Sequence, residues 1–577
     1  MGRKGSWFLG IGCLIVLIGI GFMLLLGRLL TVERVPSNAI LAIDLQGQIA
    51  EVSTNDALSE VLGESSLSLR GLRKALVSAA QDDRIRGVEL RVDGFGGGFA
   101  VAQELRSLLK GVHRAGKWTA AYMDTAGEFA PGNIAYFVAS GCDEVSMNSM
   151  GDVNLIGLSV RSPFVRGTFD KLGIKPDFPG RGAYKTARFM YTQKDFTPAH
   201  KEMMEWLLDS LTNQLVSGVA ESRGLEPAKV RQLIDRAPFM GQEAVDAGLV
   251  DRLEDWDDFR TRLRNKDQGG SDTIHLNAYL KGLPSSGSGP RIAVVTAVGA
   301  IMRGESRRDF NPLLGGEIMG SETIARAWRR VRKAHGIKAA IFRIDSPGGS
   351  AVASEIIRQE MARTAAEIPV VVSMSNVAGS GGYWITCGAQ KIVADPGTLT
   401  ASIGVFAGHL NEEAFWRDKL GVTFGKLDRG ENADIYGGLQ DWTDEQRAVI
   451  NRMLDRIYGD FVSRVAKSRH MTPEQVDAVG RGRVFTAQQA VDKGLVDALG
   501  GFDVALAQAK QLAGISPETA VRLVDFPKPV PFWQKLLRRR LEDGAAVRAA
   551  SQELQQWLQG GTIRTPGVAW MPPVYVQ

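Results

Sequence analysis

Cysteine and histidine are scarce in this chain of 577 residues, which contains three cysteines and six histidines. Cys13, Cys142 and Cys387 cannot build a disulfide framework, and the sequence has no CxxC pair of the kind that holds zinc. We therefore expect neither disulfide stabilisation nor a metal site, and the sequence predicts no cofactor.

An excess of charge of one sign is also lacking. The chain carries 69 basic and 64 acidic residues, and its formal net charge of +5 is too small to indicate a nucleic-acid partner. Hydrophobic residues make up 44% of the sequence and charged residues 23%, which excludes a disordered chain. Because single domains usually contain roughly 100–200 residues, the length predicts two to four domains.

A long hydrophobic run lies near the N-terminus. Residues 7–27 contain no charged side chain, and an apolar helix of this length spans roughly the 30 Å of a bilayer core. A cleaved signal peptide is the alternative, but its apolar region would be shorter and would end at an A-x-A site. The run therefore predicts an uncleaved membrane anchor with a cytoplasmic N-terminus and an exported body.

The exported part of the sequence repeats itself at a spacing of about 250 residues. GVELRVDGFGGG at 87–98 matches AAIFRIDSPGGS at 339–350, and QEAVDAGLVDRL at 242–253 matches QQAVDKGLVDAL at 488–499. Two further blocks match in the same order, and the Gly/Ser/Pro linker at 283–290 separates the copies. The predicted organisation is an anchor at 7–27, a first copy at 38–284, a second copy at 291–522 and a C-terminal tail at 523–577.

Each copy shows the pattern of an α/β domain. Apolar runs such as 339–344 and 370–374 predict strands of a parallel sheet whose two faces are covered by helices. A long amphipathic helix is predicted over 443–467, and Thr443 and Gln446 form a capping box at its start. The fold class predicted is α/β, with two tandem domains that arose by duplication.

The two copies diverge at two positions that matter for chemistry. Ser380, followed by two glycines, corresponds to Asn133, whereas Lys185 corresponds to Ala433. A serine between a strand and a helix can present its hydroxyl where free backbone N–H groups can bind an oxyanion. Taken singly, such a serine is typical of a turn and such a lysine of a solvated surface. Their reciprocal loss favours one active site divided between the two copies.

Four motifs resemble the signal peptide peptidase A (protease IV) family of bacteria, peptidase family S49, in its long duplicated form. They are RIDSPGGS at 343–350, VAGSGGYWIT at 377–386, LTASIGVF at 399–406 and AYKTA at 183–187. The resemblance covers roughly residues 38–520 and implies a membrane-anchored serine peptidase with a crotonase-like fold, related to the caseinolytic protease ClpP. It also implies a homo-oligomer, a tetrameric bowl whose active sites face an internal cavity.

The resemblance implies a Ser–Lys dyad with Ser380 as nucleophile and Lys185 as general base, and Ser402 would orient the amine. A serine hydroxyl needs a base within hydrogen-bond reach. Lysine serves as that base only when burial lowers its pKa enough to leave the amine neutral near pH 7. His409 lies near these motifs, but no paired acid accompanies it, which disfavours a Ser-His-Asp triad.

The oxyanion hole is expected to use backbone N–H groups, those of Gly381 and of Gly348 or Gly349. Asp345 resembles a triad acid, but its counterpart Asp93 persists in the copy that lacks the serine. We therefore expect Asp345 to have a structural role.

The preferred function is hydrolysis of short apolar peptides, above all cleaved signal peptides, at the outer face of the bacterial inner membrane. The lipid bilayer and other molecules of the same chain are the other expected partners. A crotonase-type acyl transfer enzyme and a non-enzymatic membrane scaffold are the alternatives. Neither a CoA-binding feature nor an acidic pair is evident, and export disfavours a CoA substrate.

Overall fold

The computed structural model describes residues 34–52, 67–266, 270–283, 289–309, 316–527 and 568–570. The predicted anchor at 7–27 and most of the predicted tail lie outside these residues. Within the described ranges, no helix combines the length and the apolar character needed to cross a membrane.

The first copy contains a parallel six-stranded sheet with the strand order β10-β1-β2-β3-β4-β9. Its central strands are apolar on consecutive positions because helices cover both faces. The strands of this copy are β1 Ala39–Gly47, β2 Ile85–Phe95, β3 Trp118–Met123, β4 Glu144–Met147, β5 Asp152–Val153, β6 Lys175–Asp177, β7 Gly180–Arg181, β8 Phe239–Met240, β9 Arg252–Leu253 and β10 Asp272–His275.

The second copy contains an eight-stranded sheet with the order β22-β19-β17-β15-β11-β24. In addition, β18 pairs with β17, and β23 pairs with β18. All pairs are parallel except β19 with β22. The strands that follow the first copy are β11 Arg291–Val298, β12 Ala300–Met302, β13 Arg307–Asp309, β14 Gly316–Gly320, β15 Ile337–Ser346, β16 Gly348–Ser350, β17 Val370–Gly379, β18 Lys391–Ala394, β19 Leu399–Ala401, β20 Val405–Phe406, β21 His409–Asn411, β22 Val484–Thr486, β23 Ala498–Leu499, β24 Arg522–Phe526 and β25 Val568–Trp570.

Smaller sheets complete the architecture. A five-stranded sheet has the order β13-β14-β12-β16-β25, so the backbone of residues 568–570 pairs with the glycine strand β16. Two antiparallel pairs join the copies: β6 pairs with β21, and β7 pairs with β20. These pairs bring the segment before Lys185 onto the second copy.

Several helices begin with a side chain that caps a backbone N–H, as at Ser68 and Thr197. The capping box of Thr443 and Gln446 is present, and it opens a helix that runs to Arg469. The helices are α1 Leu69–Gln81, α2 Phe99–Arg114, α3 Asn133–Ala139, α4 Arg166–Leu172, α5 Phe189–Thr192, α6 Pro198–Arg223, α7 Pro227–Arg236, α8 Gln242–Asp246, α9 Trp256–Arg264, α10 Leu276–Gly282, α11 Ser321–Lys333, α12 Ala351–Ala365, α13 Gly381–Trp384, α14 Asp444–Arg469, α15 Pro473–Val479, α16 Ala487–Asp492 and α17 Phe502–Leu512.

Equivalent positions in the two copies make equivalent contacts. Tyr136 and Tyr383 are both buried, and their hydroxyls donate over 2.8 Å to the carbonyl oxygens of Leu249 and Leu495. The long helices α6 and α14 each contain 26 residues. The α/β fold and the internal duplication predicted from the sequence are thereby confirmed.

Candidate active site

Ser380 lies at the turn between β17 and α13, where it is the N-cap residue. Its backbone has φ +55° and ψ −117°, a conformation that costs a non-glycine residue of the order of 1–3 kcal/mol. The turn is held because the Ser380 N–H donates to the Ala401 carbonyl oxygen over 2.7 Å. The side chain is fully buried. A strained and buried serine at a helix N-terminus is unusual for a residue with a purely local role.

The two glycines that follow this serine have no space around them for a side chain. A methyl group on Gly381 would lie 2.6 Å from Ser354 Oγ and 3.1 Å from Gly349 N. One on Gly382 would lie 2.6 Å from the Ser346 carbonyl oxygen. The helix start therefore packs directly against β16 and the residues that precede it.

Lys185 comes from the first copy and reaches the serine of the second. It follows β7, which pairs with β20, and the Tyr184 N–H donates to the Arg481 carbonyl oxygen over 2.9 Å. Gly482 approaches so closely that a methyl group there would lie 2.4 Å from Lys185 N. These contacts fix the main chain of Lys185 on the second copy, and the side chain extends from there into the site.

The Lys185 amine lies in a fully buried position, 2.7 Å from Ser380 Oγ. Its other hydrogen-bond partners are the carbonyl oxygen and the hydroxyl of Ser402, each at 3.1 Å. Burial lowers the pKa of the Lys185 amine well below its usual value of 10.5. All three partners are uncharged, so no carboxylate opposes this effect through a hydrogen bond.

Ser402 directly follows β19, in a segment with unusual backbone angles. Ala401 and Ser402 have φ values of +67° and +53°, and the Ser402 N–H donates to the Arg483 carbonyl oxygen over 2.9 Å. Both residues are buried. The turn directs the carbonyl oxygen and the hydroxyl of one residue at the same amine.

The two candidate oxyanion glycines differ in how their N–H groups are used. The Gly348 N–H donates to Ser346 Oγ over 3.2 Å, and Ser346 Oγ in turn donates to the Gly299 carbonyl oxygen over 2.7 Å. Gly349 N lies on the side that faces Gly381. The sequence left the choice between these glycines open, and in this structure the Gly348 N–H is already used by Ser346 Oγ.

At the matching position of the first copy, the side chain has no free polar atom. Asn133 is buried, its amide nitrogen donates to the Gly157 carbonyl oxygen over 2.8 Å, and its side-chain oxygen accepts the Gly157 N–H over 3.1 Å. Both polar atoms of this side chain are therefore occupied by backbone. Ala433, the counterpart of Lys185, is exposed.

His409 and Asp345 make contacts typical of structural residues. The His409 Nε2 atom bonds the Gly437 carbonyl oxygen over 2.7 Å, and the ring packs on Trp442 at 4.8 Å between centroids. Asp345 Oδ1 accepts the Val377 N–H over 3.0 Å, and burial raises the pKa of its carboxyl to about 7. Neither side chain has a hydrogen bond to Ser380 or Lys185 in the described part of the chain.

Sequence reasoning missed the side chains that support the glycines. The Ser346 hydroxyl accepts the Gly348 N–H, and Ser354 Oγ lies so close to Gly381 that a methyl group there would be 2.6 Å away. Both serines belong to the segment DSPGGSAVAS at 345–354, whose density of small and hydroxyl residues was the available signal.

The sequence model of peptidase family S49 matches twice, at residues 115–269 and 362–516. The chain is 30% identical to "Protease 4" of Haemophilus influenzae over 93% of this chain and 90% of that protein. It is 31% identical to "Serine protease SPPA, chloroplastic" of Arabidopsis thaliana over 86% of this chain and 72% of that protein.

Among solved structures, a ClpP1 mutant from Listeria monocytogenes matches 36% of this chain and 90% of its own length. The sequence identity is 15% and the TM-score 0.23. A score this low supports no conclusion, and the fold assignment depends on the strand order described above.

Proposed function

Because this chain belongs to peptidase family S49 and is a serine peptidase, we propose that it uses a Ser–Lys dyad. Ser380 is the nucleophile and Lys185 is the general base. The observation that carries the proposal is the 2.7 Å separation of Lys185 Nζ and Ser380 Oγ in a buried site. This distance lies within the range required for proton transfer between a base and a nucleophile.

The hydrogen-bond partners of Lys185 suit a neutral amine. Such an amine has two N–H donors and one lone pair. The two oxygens of Ser402 accept the N–H groups, and the lone pair is left to accept the proton of the Ser380 hydroxyl. A protonated amine would carry a buried charge without a counter-ion, which burial strongly disfavours. Ser402 therefore orients the base.

The reaction then follows the course of acyl transfer. Ser380 Oγ attacks the peptide carbonyl carbon while Lys185 accepts its proton, and the resulting ammonium protonates the leaving amine. Water hydrolyses the acyl-enzyme with the same lysine as base. The negative oxygen of each tetrahedral intermediate is bound by the N–H groups of Gly381 and Gly349.

The substrates proposed are short apolar peptides, above all signal peptides left in the membrane after cleavage. The supporting feature is the uncharged run at 7–27, which would anchor the body beside the bilayer that holds such peptides. The proposed location is accordingly the bacterial inner membrane, with the N-terminus in the cytoplasm and the catalytic body in the periplasm.

We also propose a homo-oligomer, and the duplication indicates which surfaces would meet. The spacing that relates Lys185 to Ala433 relates β6 and β7 to residues 423–425 and 428–429. These residues form no strand and are exposed throughout, and Leu427 is 93% exposed. By the spacing that relates Ser380 to Asn133, residues 158–159 are the counterpart of β20, and they also form no strand. If residues 423–429 of one molecule paired with residues 158–159 of the next, the molecules would form a ring. The family resemblance indicates four members.

Labelling with a serine-directed fluorophosphonate tests the proposed function. The wild-type protein should be labelled once, at Ser380, and should hydrolyse peptides. Ser380→Ala should lose labelling and turnover while it keeps its oligomer size. Asn133→Ser, at the matching position of the first copy, is the control and should gain no second label. Retained turnover in Ser380→Ala would refute the dyad, and CoA-ester activity without peptide hydrolysis would refute the proposed peptide substrates.

A further inference from the structure

An Arg-x-Asp motif recurs at corresponding positions of the two copies, near the ends of strands β2 and β15. In the first copy, Arg91 donates to Asp93 and Asp124, each over 2.6 Å. The Arg91 side chain is 28% exposed, and both partners belong to its own copy. Arg343, its counterpart in the second copy, has a different environment.

Arg343 forms ion pairs with the first copy. Its Nε and Nη2 atoms donate to the two carboxylate oxygens of Glu51, each over 2.9 Å, and Nη2 also donates to Glu104 Oε2 over 2.8 Å. The Arg343 side chain is only 2% exposed. Glu51 follows β1 and Glu104 lies in α2, so both carboxylates come from the copy that supplies Lys185.

The same guanidinium also contacts the strand that leads to the nucleophile. Arg343 Nη1 donates to Ser373 Oγ over 2.9 Å, and Nη2 donates to Ser375 Oγ over 3.1 Å. Both serines lie in β17, whose last residue, Gly379, precedes Ser380. One side chain on β15 therefore connects the first copy with the strand that carries the catalytic serine.

Further contacts make this a closed network. Arg73 of the first copy donates to the other oxygen of Glu104 over 3.0 Å, and Ser375 Oγ donates to Glu51. A buried ion pair contributes little net stability, because the loss of hydration costs about as much as the attraction between the charges gains. Apolar residues of the same volume could therefore hold two domains together equally well. A bidentate arginine–carboxylate pair adds a defined distance and angle between the two groups. The network therefore fixes the relative orientation of the two copies in addition to holding them together.

We propose that Arg343 is a positioning residue that fixes the serine-bearing strand relative to the copy carrying Lys185. The proposal rests on the Ser380–Lys185 dyad proposed above. The two reacting atoms come from different copies, and a misplacement of about 1 Å in an active site can lower the rate about 100-fold. Arg343 thus acts on the rate through β17 without contact with the substrate.

Arg343→Lys is the main test, because lysine keeps the positive charge but lacks the planar fork. We expect kcat per fluorophosphonate-titrated site to fall about 10- to 100-fold, with KM changed less than about threefold. Arg91→Lys is the matched control from the first copy and should keep kcat within about twofold. Glu51→Gln, which preserves shape but removes the charge, should lower kcat about tenfold and serves if Arg343→Lys does not fold.

A double-mutant cycle separates positioning from stability. If Arg343 and Glu51 act as one unit, Arg343→Lys combined with Glu51→Gln should be little slower than Arg343→Lys alone. Additive losses would overturn the proposal, and so would a normal kcat per titrated site in a variant that is merely less stable. Failure of the dyad itself would appear as turnover in Ser380→Ala. That result is independent of the rates measured in the Arg343 variants, so the two failures can be distinguished.

Discussion

Lys185 and Ser380 are 195 positions apart in the sequence, and Lys185 Nζ lies 2.7 Å from Ser380 Oγ in a buried site. Each residue belongs to a different copy of a duplicated α/β unit. The counterpart of the serine is an asparagine whose polar atoms bind backbone, and the counterpart of the lysine is an exposed alanine. Among the described residues, these two corresponding regions therefore bring a serine and a lysine together at one place only.

The first prediction concerns the space beside the nucleophile. In Gly381→Ala, the new methyl group would crowd Gly349 N and Ser354 Oγ, so the proposed oxyanion site should be displaced. We expect acylation to slow by about 100-fold or more, measured by stopped-flow labelling. The control is Gly459→Ala on α14, where a methyl group would have no atom within 4 Å. This variant should leave acylation unchanged. Rapid acylation in Gly381→Ala would exclude Gly381 as an oxyanion donor.

The second prediction concerns the orientation of the amine. Ser402→Ala removes a hydroxyl 3.1 Å from Lys185 Nζ but leaves the carbonyl oxygen of the same residue in place. We expect kcat to fall about tenfold, because one of two orienting hydrogen bonds remains. Thr186→Val is the control, since the buried Thr186 hydroxyl has no hydrogen-bond partner among the described residues. Equal rates in Ser402→Ala and the wild type would mean that Ser402 is only structural.

The third prediction concerns stability and pH. The folded-state pKa of Lys185 lies below 10.5, so between the two values the unfolded chain binds more protons and wild-type stability rises with pH. Lys185→Met lacks this dependence. It should be more stable than the wild type at pH 7, with the difference shrinking as the pH approaches 10.5.

Denaturant unfolding at pH 7 and pH 10 measures this difference. Lys229→Met replaces an exposed lysine and should show no pH-dependent difference from the wild type. A Lys185→Met variant that is less stable than the wild type at pH 7 would show that the buried amine is not destabilising.

The fourth prediction concerns assembly. The chain from Thr31 onward should sediment as one species of several subunits, since the proposed contacts lie in the body. Leu427→Glu places a charge on the unpaired segment and should dissociate this species, whereas Leu512→Glu, at another exposed site, should not. A wild-type body that is a fully active monomer would contradict the proposed ring.

Local sequence patterns predicted many helices and strands of this molecule, because burial and helix capping depend mainly on residues that are close in the sequence. Apolar runs mark strands that are covered on both faces, and the capping box at Thr443 marks the start of a helix where the structure has one. The divergence between the copies identified Ser380 and Lys185 as candidates, and the predicted membership of peptidase family S49 is confirmed. The exact domain boundaries stay a prediction.

The remaining features depend on contacts that no local pattern encodes. Glu51 and Arg343 are 292 positions apart, and nothing in either segment shows that the two side chains meet. The Gly348 N–H donates to the Ser346 hydroxyl, which in turn donates to the Gly299 carbonyl oxygen, and these residues are also apart in the sequence. The Glu51–Arg343 pair forms only when the two copies dock, whereas the Ser346 contacts form when β11 and β15 pair within the second copy.

Single-turnover acylation of Ser380 across pH 6–10 in Lys185→Arg and Lys185→Met tests the central claim most directly. If the neutral amine is the base, wild-type acylation rises with pH through a depressed pKa. Both variants should then be inactive, because a guanidinium keeps its proton over this range and a thioether cannot accept one. If the positive charge only stabilised the oxyanion, Lys185→Arg would retain much of the rate. Substantial acylation in Lys185→Arg would therefore contradict the proposed role of Lys185 as general base.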